Sequence, residues 1–209
     1  MFGDLFKGVD MSKYIRVMDG LKSKANGQLF EINKEIIADK WNPSKQNPED
    51  MGGFNFSTED KILGFIFRGD TIYDVIIPND AEVVLVDKNK GIYRTNKIIV
   101  VNPRIITEDM IIDYYRKSTL VMDGYQQYMY ISCLLSKRYL KAFKCILKDI
   151  INKDNVDIII KRFEKQYCKR KNIDIDVFDY NKIDPEDKEI FDILLGIKKE
   201  LFEYRMEDF

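Results

Sequence analysis

Between residues 69 and 104 the apolar positions fall in short runs of β-branched and aromatic residues: TIYDVII, AEVVLVD, GIYR and KIIVV. Pro-Asn-Asp, Lys-Asn-Lys-Gly and Thr-Asn separate them, so the pattern predicts consecutive strands of one sheet. Pro103 has no N–H for a ladder, and the last strand is expected to end there. Upstream, Asn26-Gly27 is a turn signal, residues 28–33 alternate in the manner of a half-buried strand, and residues 36–41 are its expected partner. Residues 54–57 predict a further strand. Ser57 or Thr58 ahead of Glu59 and Asp60 then opens a helix over 59–67 that turns Ile62, Phe65 and Ile66 inward. Residues 42–53 hold two prolines and two glycines and read as a loop. At the front, Tyr14, Ile15, Val17, Met18 and Leu21 behind Ser12 predict a short helix over 13–21.

Beyond residue 105 the period changes to that of helices. Thr107 with Glu108 and Asp109 behind it caps a helix to 117 or 118, with Met110, Ile111, Tyr114 and Tyr115 on one face. Residues 123–135, 137–151 and 155–168 follow with 3.6-type spacing. Asp184 as cap, Pro185 at the first helical position and two acids in the first turn start a final helix to about 204. It is expected to bury Ile190, Phe191, Leu194, Leu195, Ile197, Leu201 and Phe202. The fold expected is α+β: a mixed or antiparallel sheet over about 28–104 in a lobe of residues 1–105, and an all-helical lobe of residues 106–209 packed on it.

No apolar run approaches the roughly 18 to 20 residues that cross a bilayer, and the first residues mix acids with apolar positions, unlike a signal peptide. A cytoplasmic protein without membrane contact is the expectation. The chain contains no histidine, which removes Ser-His-Asp and Cys-His nucleophiles and the common zinc motifs. Cys133, Cys145 and Cys168 lack C-x-x-C spacing and read as inert thiols, with no metal site and no cofactor. Catalytic residues are not identifiable; Asp, Glu, Lys and Tyr are the acid-base groups at hand.

The net charge of −1 conceals an asymmetry. Residues 137–171 carry twelve Lys and Arg against four acids, and residues 172–209 five against twelve. Lys137, Arg138, Lys141, Lys144 and Lys148 offer a face for phosphates or an acidic partner; the alternative is a solvated face neutralised by the acidic tail. Tyr125, Tyr128, Tyr130 and Tyr139 offer stacking surfaces or core residues. Arg94 and Arg104, at strand ends, are ligand contacts or structural pairs. Asp70 reads as a turn cap and Asp74 as an exposed edge residue.

The segments GDTIYDV (69–75), IPNDAEV (77–83), YRTNKIIV (93–100) and Asn102-Pro103-Arg104, with KDIINKDNVD (148–157) and IKKEL (197–201), resemble a family of proteins from Clostridia, related anaerobes and their phages. The likeness spans about residues 53–201 and implies no activity. A second likeness is of layout: Gly-Phe-x-Phe at 53–56, a short helix, then an x-Asp-Val-x-Ile-Pro run is similar to small ADP-ribosyltransferase-like domains. It implies NAD as cofactor, with Ser57 and Thr58 at the nicotinamide pocket, although the chain lacks the histidine of one such class and a Glu-x-Glu near the last strand. The leading expectation is a non-catalytic accessory protein of a phage or mobile element that binds and inhibits a host protein or nucleoprotein, for example a CRISPR-type defence complex. An NAD-using enzyme and an RNA- or DNA-binding protein acting through the basic helices are the alternatives.

Overall fold

The computed structural model describes residues 14–24, 26–120 and 124–203, and the side chains of 124–129 are left aside. In chain order the elements are β1 Tyr14–Met18, β2 Glu35–Ile37, α1 Pro48–Met51, β3 Phe54–Thr58, a 3-10 helix Glu59–Arg68, β4 Thr71–Ile76, β5 Val83–Asp87, β6 Ile92–Thr95 and β7 Lys97–Ile105. The helices α2 Glu108–Lys117, α3 Gly124–Ser136, α4 Leu140–Ile150, α5 Val156–Lys171 and α6 Pro185–Glu203 follow. The seven strands form one sheet in the order β2-β7-β4-β1-β3-β6-β5, with every pairing antiparallel. The architecture is α+β, with strands in the N-terminal part and helices in the C-terminal part.

One face of the sheet buries Met18, Phe54, Phe56, Tyr73, Val75, Ile98 and Val100 with Phe30 from the connection before β2. The 3-10 helix packs on β1 and in turn receives α2 and α3. It buries Ile62, Leu63, Phe65 and Ile66, the apolar side expected of the segment. The chain forms two compact units, Met1–Lys137 and Arg138–Phe209. The sheet itself ends at Ile105, but the first unit continues through α2 and α3, which pack on the 3-10 helix. In the second unit α4 and α5 each pack on α6.

Four expectations are corrected. Residues 14–18 form a strand and not a helix, because Tyr-Ile-Arg-Val-Met lies between two neighbours and Ile15, Val17 and Met18 are all buried, which a one-sided helix would not require; Ser12 lies outside the described residues. Residues 28–33 do not form a strand. Only Leu29 and Ile32 make isolated bridges, Asn33 turns the chain at φ 63°, and β2 pairs with β7 instead. The strand β7 runs through Pro103 to Ile105. Ile72 opposes Arg104 while Asp74 opposes Val101, so β7 carries an extra residue at this β-bulge, with Asn102 at φ 50°, and a proline is tolerated where the ladder is already interrupted. In α6, Ile190, Phe191, Leu194 and Ile197 are buried as expected, but Leu195 and Phe202 are 37% and 50% exposed because they fall off that stripe.

Gly69 joins the 3-10 helix to β4 where β1 ends. A Cβ there would stand 1.9 Å from the Met18 carbonyl carbon and oxygen, main-chain atoms that cannot step aside. Gly69→Ala is expected to destabilise the protein by about 1–3 kcal/mol. Gly196 in α6 has nothing within 4 Å of the same added carbon, so Gly196→Ala should stabilise by about 0.5–1 kcal/mol. Denaturant midpoints of the two variants check both signs.

Candidate functional site

A charged residue in the middle of a buried strand is the least expected feature of the sheet. Arg16 of β1 is 7% exposed. The β1–β3 ladder is limited to Tyr14 with Thr58 and Ile15 with Ser57, and the Arg16 guanidinium takes the place beyond it. Its Nη1 donates to the Asn55 side-chain oxygen at 2.7 Å and also to the Asn55 carbonyl, and its Nη2 donates to Ser23 Oγ at 3.2 Å. The guanidinium carbon lies 4.9 Å from the centre of the Phe30 ring, over its face.

Two further arginines converge here. Arg68 ends the 3-10 helix, with its guanidinium carbon 5.7 Å and 5.3 Å from the Phe65 and Phe67 ring centres. Arg94 lies on β6 directly across from Asn55, and its Nη1 donates to the Gly52 carbonyl at 2.5 Å. Arg16, Asn55, Ser57 and Arg68 line a recess of about 10 Å³, closed on its apolar side by Ile62 and Phe65. That is space for roughly one water-sized group. Among the described residues, Nε of Arg16, Arg68 and Arg94 and Oγ of Ser57 are buried without a hydrogen-bond partner.

The charges are as unbalanced as the hydrogen bonds. Burial, followed by the charges of Arg68 and Arg94, lowers the Arg16 guanidinium to about 9. Burial and then Arg94 lower Arg68, and burial lowers Arg94 against the opposing pull of Glu49. Among the described residues, Arg94 is therefore the one of the three that feels a carboxylate. All three side chains remain protonated at neutral pH. The arrangement is suited to hold an oxyanion, since it offers N–H and O–H donors, positive charge and little competing water.

Comparison of the chain with protein-family models, curated proteins and solved structures finds no match.

Of the residues singled out in the sequence, Arg94 belongs to this cluster. Arg104 does not: its Nη1 and Nη2 donate to the two Asp74 carboxylate oxygens at 3.0 Å and 2.6 Å, and Asn102 donates to the same carboxylate. Asp74 is accordingly a paired residue beside the β7 bulge and not a free edge acid. Lys137 donates to the Gly69 carbonyl and Lys24 to that of Phe67, so both anchor the end of the 3-10 helix. Asp70 accepts from the Gly20 N–H and the Thr71 hydroxyl, the capping role expected of it.

In the second unit, Arg138 pairs with Glu189 and donates to the Glu186 carbonyl, while Lys148 pairs with Glu200, close to Lys144. Lys141 and Lys144 are exposed on the same helix. Tyr130 is buried and Tyr139 half-buried, whereas the side chains of Tyr125 and Tyr128 lie outside the described residues. Cys133 and Cys168 are buried and Cys145 half-buried, all as free thiols, and burial pushes the Cys133 thiol up. No group of residues among those described is disposed to hold a metal ion, and no described helix is long and apolar enough to cross a membrane.

Arg16 and Arg68 are the site residues that sequence reasoning missed. The available signal was an arginine inside the five-residue run YIRVM, where a charge in a buried strand is expensive and so informative.

The Asp74–Arg104 pair generates a pH prediction. Burial alone would raise the Asp74 carboxyl, but the hydrogen bonds from Arg104 and Asn102, with the Arg104 charge, outweigh it and hold the carboxyl below its ordinary value. A depressed carboxylate stabilises the fold above its unfolded pKa, and that stability is lost as pH falls through the folded value. Arg104→Ala should therefore cost about 0.5–1 kcal/mol at neutral pH for this partly exposed pair. The gap to the wild type should close in strong acid, as followed by unfolding at a series of pH values.

Proposed function

We propose that the protein acts by binding and not by catalysis, and that its sheet unit receives an anionic group of a partner in the recess between β1 and β3. The observation that carries this reading is the facing of Arg16 and Arg68 across a recess where two guanidinium Nε–H groups and the Ser57 hydroxyl have no partner among the described residues. A buried donor left unpaired costs roughly 1–3 kcal/mol, and an anion would satisfy several at once. The resemblance to proteins of Clostridia and their phages supports taking the partner to be an acidic host protein or nucleoprotein, with a CRISPR-type complex as one instance. Direct nucleic-acid binding through the basic helices has weaker support, because Arg138 and Lys148 carry their counter-charges with them.

A second reading, an NAD-using ADP-ribosyltransferase-like domain, is favoured by the placement of Ser57 beside Arg16 in one recess. At about 10 Å³ the recess holds an oxygen atom and not a nicotinamide ring, so this reading also requires the β1–β3 gap to open. NAD calorimetry and a labelled-NAD transfer assay test it. No heat and no transfer would remove it.

Arg68→Gln separates binding from folding. The variant loses two ring contacts worth about 0.5–1 kcal/mol but also relieves the repulsion with Arg16 and Arg94, so it is expected to melt within a few degrees of the wild type. Oligo-glutamate peptide and pyrophosphate should each raise the melting temperature of the wild type and leave that of Arg68→Gln unmoved. If neither raises the wild-type value, the binding reading fails.

A further inference from the structure

We infer that the group received by the Arg16–Arg68 recess is a phosphate monoester dianion in preference to a carboxylate. The inference rests on the binding reading above and names the ligand chemistry of the same site. Charge count is the first argument. Glu49 bears on Arg94, but among the described residues no carboxylate is one of the groups that perturb Arg16 or Arg68, so within that set the two positive charges lining the recess have no counter-charge. A carboxylate neutralises one of them. A phosphate monoester above its second pKa, about 6, carries up to two negative charges and neutralises both.

Donor supply is the second argument. The Nη groups of Arg16 are already engaged by Asn55 and Ser23, and Nη1 of Arg94 by Gly52, so neither residue is set to grip a planar carboxylate through both outer nitrogens. The unpartnered atoms of the lining are single N–H and O–H groups on separate elements: Arg16 on β1, Ser57 on β3 and Arg68 on the 3-10 helix. Three donors from separate elements around one small recess suit the more highly charged terminal oxygen of a phosphate dianion better than the oxygen of a carboxylate.

Size is the third. The recess takes about one oxygen atom, so one phosphoryl oxygen enters it while the rest of the phosphate and the ester substituent stay at its mouth. The site then recognises the phosphoryl tip and is indifferent to what bears it. Gly91 adjoins the mouth: a Cβ on it would come within 3.2 Å of Ser57 Oγ and 2.6 Å of the Lys61 side chain.

Calorimetric titration of the full chain with inorganic phosphate and, separately, with acetate tests the inference. At pH 8 phosphate is expected to bind at least tenfold more tightly than acetate, and its affinity should fall several-fold at pH 5, where it is a monoanion. Ser57→Ala removes a buried hydroxyl that has no partner among the described residues, so the fold should survive, while phosphate affinity falls several-fold. Arg68→Gln should abolish saturable binding. Phosphate no tighter than acetate, or phosphate affinity unchanged between pH 8 and pH 5, would overturn the inference. If oligo-glutamate is held through Arg68 and phosphate is not, the site takes carboxylates; the binding reading then stands and the phosphate assignment falls. Phosphate binding that both variants retain would be an adventitious ion only, and would also overturn it. A nucleoside 5′-monophosphate and phenyl phosphate, compared with inorganic phosphate, show whether the bearer adds contacts.

Discussion

The sheet unit depends on how β1 is joined to β3. Two ladder pairs, Tyr14 with Thr58 and Ile15 with Ser57, hold the strands together, and beyond them a buried guanidinium replaces the main-chain ladder. On one side of this seam lie β4, β7 and β2, and on the other β6 and β5. Burying a charge in this place costs several kcal/mol even after relaxation. The hydrogen bonds to Asn55 and Ser23 and the Phe30 face offset part of that, but no carboxylate among the described residues offsets the repulsion of Arg68 on Arg16. A well-packed apolar side chain would serve a purely structural seam at least as well. The charge makes physical sense as a binding group that is left unsatisfied in the free protein.

The two units treat charge in opposite ways. In the helical unit Arg138 pairs with Glu189, Lys148 with Glu200, Arg170 with Asp187, Lys171 with Asp184 and Lys198 with Asp157. Each exposed pair contributes little to stability. Four of them offset part of the positive charge that the composition of residues 137–171 suggests, while Lys198 pairs with one of that segment's own acids. The sheet unit, with 18 basic and 19 acidic residues over 1–137, is close to neutral in sum, yet it concentrates three arginines around one seam. Local balance, and not the count along the chain, decides where an anion is attracted.

This contrast explains what could be read in advance. Local chemistry was legible: Thr107 accepts from the Met110 N–H as a cap, Pro185 opens α6, and β4, β5 and β6 coincide with the runs between turn clusters. Where long-range pairing decides, the pattern misled. Residues 14–18 have an apolar content that suits helix or strand, and only their position between β3 and β4 settles the matter. Pro103 looks like a terminator until the bulge opposite Ile72 and Asp74 makes room for it. Arg94 was visible at a strand end, but the two arginines near it come from β1 and from the end of the 3-10 helix, and no local spacing announces such a convergence.

The central claim is that the Nε–H groups of Arg16 and Arg68 are the vacant donors of an anion site. Nitrogen-15 NMR of arginine Nε–H groups addresses them directly, with Arg16→Lys, Arg68→Lys and Arg94→Lys variants to assign the signals. On titration with phosphate at pH 8, the Arg16 and Arg68 signals should move downfield together, saturate at one concentration and gain protection from exchange with water. The Arg104 signal, already committed to Asp74, should stay in place. Arg16 and Arg68 signals that do not respond while others shift would contradict the account.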